Sequence, residues 1–442
     1  MEASVSWRTR IVSTVATTAL AVSGGVLAVP AASAAVRPGN PFAGARGYVD
    51  PDWSAAALAT AALGGDLRPA MSTVARQPTA VWLDSIASIN GTPGRRGLRD
   101  HLDGALAQQD PGGQPVVITL VLYNLPNRSC TRAPSGELKT SADYRTQFID
   151  PIAAILAEPA YRWLRVAVVV EPDALANALF SHFECAQAAE IYQEAIPYAL
   201  SRLHETPNVH AYLDVTQSNQ LGWEESLQAA AAVVRQVAGR TPAGVASIDG
   251  FAVNVADYDP LDEPFLDIDM MRNGVTIRQT KWVDWNNHLE ESTFVDAMHA
   301  ALVAAGFPEQ IGALLDTSRN GWGGSARPTA ASTSTDINTF VEQSRVDRRP
   351  TRLTWCNQKG AGLGELPRAT PQTHVHAYAW VKQPGVSDGN EAGDVRCDPN
   401  GEIPPTRGSN RPTNAMAGAP PRGEWFPAAF TELVRSAYPP VL

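Results

Sequence analysis

Lysine is almost absent from this chain. Lys139, Lys281, Lys359 and Lys382 make up its whole complement, and Asp plus Glu (45) outnumber Lys plus Arg (35), for a net charge of −10. A chain so acidic has no basic face for a phosphate backbone, which excludes nucleic acid as a partner. Cysteine is as sparse. Cys130, Cys185, Cys356 and Cys397 are the only four, and none stands at CxxC spacing, so no zinc framework is expected. There is no GxSxG elbow and no HExxH pair. GAGLGE (360–365) lacks the last glycine of a dinucleotide loop and follows no strand-like run, so it reads as a turn beside Trp355. We therefore expect no metal and no cofactor. Linkers and repeats are also missing, which makes residues 35–442 one domain. Only one stretch is apolar enough to span a bilayer: Ile11 to Val29, preceded by Arg8 and Arg10 and followed by Ala32-Ser33-Ala34. That order is the form of a secretory signal peptide over residues 1–34, the alternative being an uncleaved anchor. It places the protein outside the cell, free of the membrane once cleaved. In that oxidising setting four cysteines imply two disulfides, with three pairings open.

The apolar segments that are present are short and nearly continuous. VVITLVLY (116–123), VAVVV (166–170), HAYLD (210–214), IDGFAVNV (248–255), IGALLD (311–316) and HVHAYAWV (374–381) read as strands buried on both faces. Helical patterns such as 185–205 lie between them, so the class is α/β with a parallel sheet. Polar residues fall just after each strand. In a parallel barrel these strand ends form one rim, where chemistry sits. Asp173, Asp214, Asp316 and Asp388 would meet there, although any one of them could equally be a helix cap. Paired carboxylates are the machinery of glycoside hydrolysis, one protonated as acid and one ionised. Asp173 follows the most apolar strand, where burial would keep a carboxyl protonated. Eleven tryptophans, among them Trp223, Trp322, Trp355 and Trp380 near strand ends, supply flat faces on which sugars stack, though core packing accounts for some of them.

Several segments are more specific. VVVEPDALAN (168–177), DTSRNGWGG (316–324), WCNQKGAGLGE (355–365) and VKQPGVSDG (381–389), with NPFAGARGYVDPDW (40–53) and the AYPPVL ending, resemble glycoside hydrolase family 6. These are cellobiohydrolases and endoglucanases that cleave β-1,4-glucan with inversion. TIRQTKWVDWN (276–286) and SRVDRR (344–349) are most similar to the bacterial cellobiohydrolase branch. The resemblance implies a distorted, TIM-like parallel β/α barrel of seven strands and a monomer acting on cellulose or a related β-glucan. It implies that Asp173 is the general acid, Asp388 the base, Asp214 a supporting acid and Tyr123 the side chain that presses on the distorted sugar. Trp82, Asp84, Asn254, Trp355 and Lys382 would contact sugar, with Arg128 and Arg319 beside the acids. It also implies the disulfides Cys130–Cys185 and Cys356–Cys397.

The chain departs from that family pattern at a few places. Ser129 stands where an aspartate is usual between Arg128 and Cys130, and Gln217 and Gln220 stand where a histidine and a tryptophan bind sugar. Val386 replaces a glutamate. Without the aspartate's charge Asp173 would ionise more easily, so a weakened hydrolase is expected. The alternative is a glucan-binding protein that has lost catalysis.

Overall fold

The computed structural model describes residues 39–126, 128, 136–180, 187–403 and 411–441. The leader expected over 1–34, Ser129, and the Cys130–Cys185 pair lie outside the described residues. A sheet of nine strands organises the rest. In chain order these are β1 (Arg46–Gly47), β2 (Val81–Leu83), β3 (Val116–Leu122), β4 (Arg165–Val170), β5 (Val209–Asp214), β6 (Gly250–Val253), β7 (Gly312–Asp316), β8 (Arg368–Ala369) and β9 (Val375–Ala379). β3, β4, β5, β6, β7 and β9 follow one another in parallel, and only β8 runs antiparallel, on the outer edge of β9.

The count is nine rather than seven because two of the strands are two-residue additions. β1 pairs with Val116 and Val117, and β2 with Leu120 to Leu122, so both lie against β3. β8 caps β9. The sheet curls until its margins meet: Thr79 and Trp380 form an isolated parallel bridge, with Ala80 N–H donating to the Trp380 carbonyl at 3.1 Å. The Trp82 indole N–H adds a bond to the Val381 carbonyl at 2.8 Å across the same seam.

The unbroken apolar runs follow from this shape. Side chains alternate across a strand. Val116, Ile118, Leu120, Leu122, Val166, Val168 and Val170 join the larger core shared with the helices. Val117, Val121, Ala167, Val169, Tyr212, Ala252, Leu314 and Ala377 form a separate, smaller cluster on the opposite face, inside the curl. Helices α1 (Ala188–His204), α2 (Glu224–Gly239) and α3 (Glu291–Ala304) supply the outer layer, with Leu200, Val234 and Phe294 fully buried against the sheet. The result is the α/β barrel-like architecture expected from the alternation of runs. Among the described residues no helix is long and apolar enough to cross a membrane.

Candidate active site

The C-terminal strand ends carry the candidate residues. β3 ends at Leu122, and the next residue, Tyr123, still donates its N–H to the Leu83 carbonyl at 2.9 Å. The chain then turns over Glu171, the first residue after β4. Glu171 is buried, and its two carboxylate oxygens accept Asn124 N–H at 3.1 Å and Leu125 N–H at 3.0 Å. Burial pushes its carboxyl up, against those bonds. Glu171 thus sets the turn that presents Tyr123 and Arg128. The Arg128 guanidinium lies over the Tyr123 ring, 4.3 Å from its centroid, and bonds the carbonyls of Asp84 (2.9 Å) and Tyr123. Trp82 meets Tyr123 edge to face at 5.4 Å. Tyr123 is pushed up to about 12 by burial and then by the nearby Asp173 charge, which puts its hydroxyl in the same field as that carboxyl.

Asp173 follows directly. It is half-buried, with φ of 66°, and its side chain makes no capping bond to the short helix that begins at Ala174. Burial raises its carboxyl above the usual range, while Arg422 and Arg396 oppose that rise. Its N–H donates to Asp214 Oδ1 at 3.0 Å, and Thr216 N–H reaches the same oxygen at 3.1 Å. Asp214 Oδ2 is buried without a protein partner among the described residues. Burial and then the Asp173 charge hold Asp214 well above the normal carboxyl range. A neutral carboxyl fits that position, since burial disfavours its anion and no cation pairs with it among the described residues.

Asp388 is the opposite case. It is buried, which alone would raise its pKa, but Arg319 and Lys382 outweigh burial and bring it down to about 2. Arg319 Nη1 lies 2.8 and 2.6 Å from its two oxygens, and Lys382 Nζ 3.1 Å from Oδ1. Asn357 N–H (2.8 Å) and the Tyr258 hydroxyl (3.2 Å) also donate to Oδ2. Asp388 N–H in turn donates to Asn357 Oδ1 at 3.0 Å, and the Cys356–Cys397 disulfide closes the loop around this pairing. Half-buried Trp355 precedes Cys356, with the guanidinium groups of Arg396 and Arg422 5.2 and 5.7 Å from its ring centroid.

Other candidates stand at the rim in supporting positions. Asp316, at the end of β7, accepts bonds from the N–H groups of Ala256, Ser318, Val381 and Lys382, so it ties three strand ends together. Asn254 is fully buried and bonds the carbonyls of Asp259 and Asp316, each at 3.1 Å; its amide holds the 254–259 turn. Gln217 is buried and donates to Asp257 Oδ2 at 2.6 Å, which joins it to an ion network of Asp257, Asp259, Asp347, Arg349 and Arg352. Gln220 is half-buried one turn further on, and Asp84 is held by Arg95 at 2.7 Å. Among the described residues no three His, Cys, Asp or Glu side chains are disposed to hold a metal ion.

Sequence reasoning missed Glu171, Tyr258 and Arg422. Glu171 stood in plain view inside VVVEPDALAN, but only its contacts show that it serves the neighbouring turn. Arg422 lies in a Pro/Gly-rich segment that has no periodicity, and its Nε–H donates to the Asp388 carbonyl at 3.0 Å.

Comparison with known proteins gives one consistent result. The family model described as glycosyl hydrolases family 6 matches residues 42–437. Exoglucanase A of Cellulomonas fimi is 45% identical over 93% of this chain, which spans 50% of that protein's length. The 1,4-beta-D-glucan cellobiohydrolase C of Emericella nidulans is 31% identical over 91% of this chain and 79% of its own. The catalytic domain of Cellulomonas fimi Cel6B superposes with a TM-score of 0.87 at 44% identity, covering 92% of this chain and 97% of the other. None of these three is named as a non-catalytic binding protein, and none lends support to the expected loss of activity.

Proposed function

Because this chain belongs to glycosyl hydrolases family 6, we propose that it hydrolyses β-1,4-glucosidic bonds in cellulose or a related β-glucan, with inversion and in the cellobiohydrolase manner. The observation that carries the reading is the split in protonation along one rim: burial raises Asp173 while two cations hold Asp388 ionised. Asp173 gives its proton to the leaving oxygen. Asp388 receives the proton of the attacking water, directly or through a second water. Held at about 2, it is a weak base but an anion at every working pH, so it also offsets positive charge developing at the anomeric carbon. Asp214, kept neutral, bonds the Asp173 backbone and fixes its position. Tyr123 and Trp82 form an aromatic corner against which the sugar ring is pressed, and Trp355 offers a second face. The names of the exoglucanase and cellobiohydrolase relatives support the substrate class. We further propose that the protein is secreted, on the strength of the leader-like residues 1–34.

The test is hydrolysis of cello-oligosaccharides followed by NMR of the fresh products. We expect α-anomers first, and a fall in kcat of about 10²–10⁴-fold for Asp173→Asn with folding unchanged. A variant as active as wild type would refute the acid assignment.

A further inference from the structure

We propose that Arg422 and Trp355 form a subsite for a carboxylated sugar unit, so that the preferred substrate is a β-glucan bearing acid groups rather than a wholly neutral chain. The inference rests on the glucan-hydrolase reading. Among the described residues five cations stand near Asp173, Asp388 or Tyr123, and four are already engaged. Arg319 and Lys382 are both bound to Asp388. Arg128 lies over Tyr123 and bonds two backbone carbonyls. Arg396 is held in a fork by Asp394, at 3.0 and 2.6 Å.

Arg422 differs. Its Nε–H is anchored on the Asp388 carbonyl at 3.0 Å, which fixes where the guanidinium sits. The residue is exposed, its guanidinium stands 5.7 Å from the Trp355 ring centroid, and among the described residues no carboxylate pairs with it. An anchored guanidinium with no carboxylate partner among the described residues suits a substrate carboxylate bidentately. The indole beside it suits the apolar face of the ring that carries the carboxylate.

The electrostatics of the acid point the same way. Arg422 is the first cation opposing the raised pKa of Asp173. With a neutral glucan that opposition works against a general acid. Position 129, an aspartate in the family pattern, is serine here, so that residue carries no charge of its own. A substrate carboxylate paired with Arg422 would cancel its field, and Asp173 would hold its proton best when such a chain is bound. The carboxylate could be an aldonate at the reducing end or a uronate at C6.

The experiment compares kcat/KM for three chains of equal length: neutral, aldonate-terminated and C6-carboxylated. The enzymes are wild type, Arg422→Gln and Arg422→Lys. We expect wild type to favour one acidic chain by about tenfold, as one solvent-accessible charge pair allows. That ratio should fall to about one in Arg422→Gln, survive in part in Arg422→Lys, and shrink at ~0.5 M salt. The rank of the two acidic chains identifies the source. A ratio of one or less for both acidic chains overturns the proposal, as does a preference unchanged in Arg422→Gln. Equal losses on all three chains in both variants would show that Arg422 only supports the Asp388 loop, and would also overturn it. If wild type hydrolyses none of the chains, the hydrolase reading fails. Calorimetric binding to Asp173→Asn, with and without Arg422→Gln, then decides the subsite alone: a preference lost with Arg422 supports it, and equal binding refutes it.

Discussion

Asp173 and Asp388 show how one residue type is tuned in opposite directions by its neighbours. Burial is the largest influence on Asp173, with Arg422 and Arg396 opposing it, and its backbone sits in the left-handed region, a conformation that costs a non-glycine residue about 1 kcal/mol or more. Asp388 is more deeply buried and doubly paired. The pH profile follows. Activity should fall on the alkaline side as Asp173 loses its proton, and no acid limb from Asp388 should appear above about 2. Replacing Arg422 by Gln removes a cation that favours the Asp173 anion, so the alkaline limb should move to higher pH. Lys382→Met removes a cation from Asp388, whose pKa then rises, and an acid limb should enter the profile. Both shifts are read from kcat/KM against pH on a neutral oligosaccharide. The motifs around 173 and 388 made the carboxylates legible in the sequence. Their protonation was only half legible, because the Arg319 and Lys382 contacts depend on loops from different strands meeting.

Among the elements, the strands were read closely. The six apolar runs correspond to β3, β4, β5, β6, β7 and β9 within a few residues, since burial on both faces leaves little polar interruption. β2 escaped notice as a strand: three residues are too few to show a pattern, although VWLD was singled out for its Trp and Asp. Of the glycines of GAGLGE, Gly360 lies in a turn, as expected, with φ of 79°, while Gly362 and Gly364 serve close backbone packing. A Cβ on Gly362 would lie 1.6 Å from the Ser436 carbonyl oxygen, and Gly321 N–H bonds the Gly362 carbonyl at 2.9 Å. Gly362→Ala should therefore destabilise by about 3 kcal/mol, seen as a lower denaturant midpoint. The Cys356–Cys397 bridge spans 41 residues and clamps Trp355 and Asp388 into one unit. Changing both cysteines to serine should cost about 4 kcal/mol on the chain-entropy account. It should also lower kcat in the surviving folded protein, because the Asn357–Asp388 pairing loses its tether.

For the molecule as a whole, buried carboxyls decide how stability varies with pH. Glu263 is pushed up to about 8, chiefly by burial, although Val346 and Asp347 N–H groups bond it. Unfolded, it ionises near 4.5, so between there and about 8 the unfolded chain binds fewer protons than the folded one. Its stabilising contribution is complete below 4.5 and drains away as pH rises through about 8. Asp388 runs the other way, contributing above its ordinary 3.8 and losing that contribution as pH falls through about 2. Melting temperatures should accordingly decline from mildly acidic to alkaline pH, and Glu263→Gln should flatten the decline. The buried network of Asp257, Asp259, Asp347, Arg349 and Arg352 was invisible in the sequence, where these residues look like ordinary surface charges. They meet because the loop after β6 packs against the 347–352 loop, and Gln217 bonds into the same cluster.

The margins of the curled sheet are held together by a narrow clasp, the bridge between Thr79 and Trp380. Trp82 is part of that clasp: its indole N–H bonds the Val381 carbonyl, next in the chain to the lysine that grips Asp388. The aromatic corner at Trp82 and the ion pair on Asp388 are thus fastened to the same seam of the sheet.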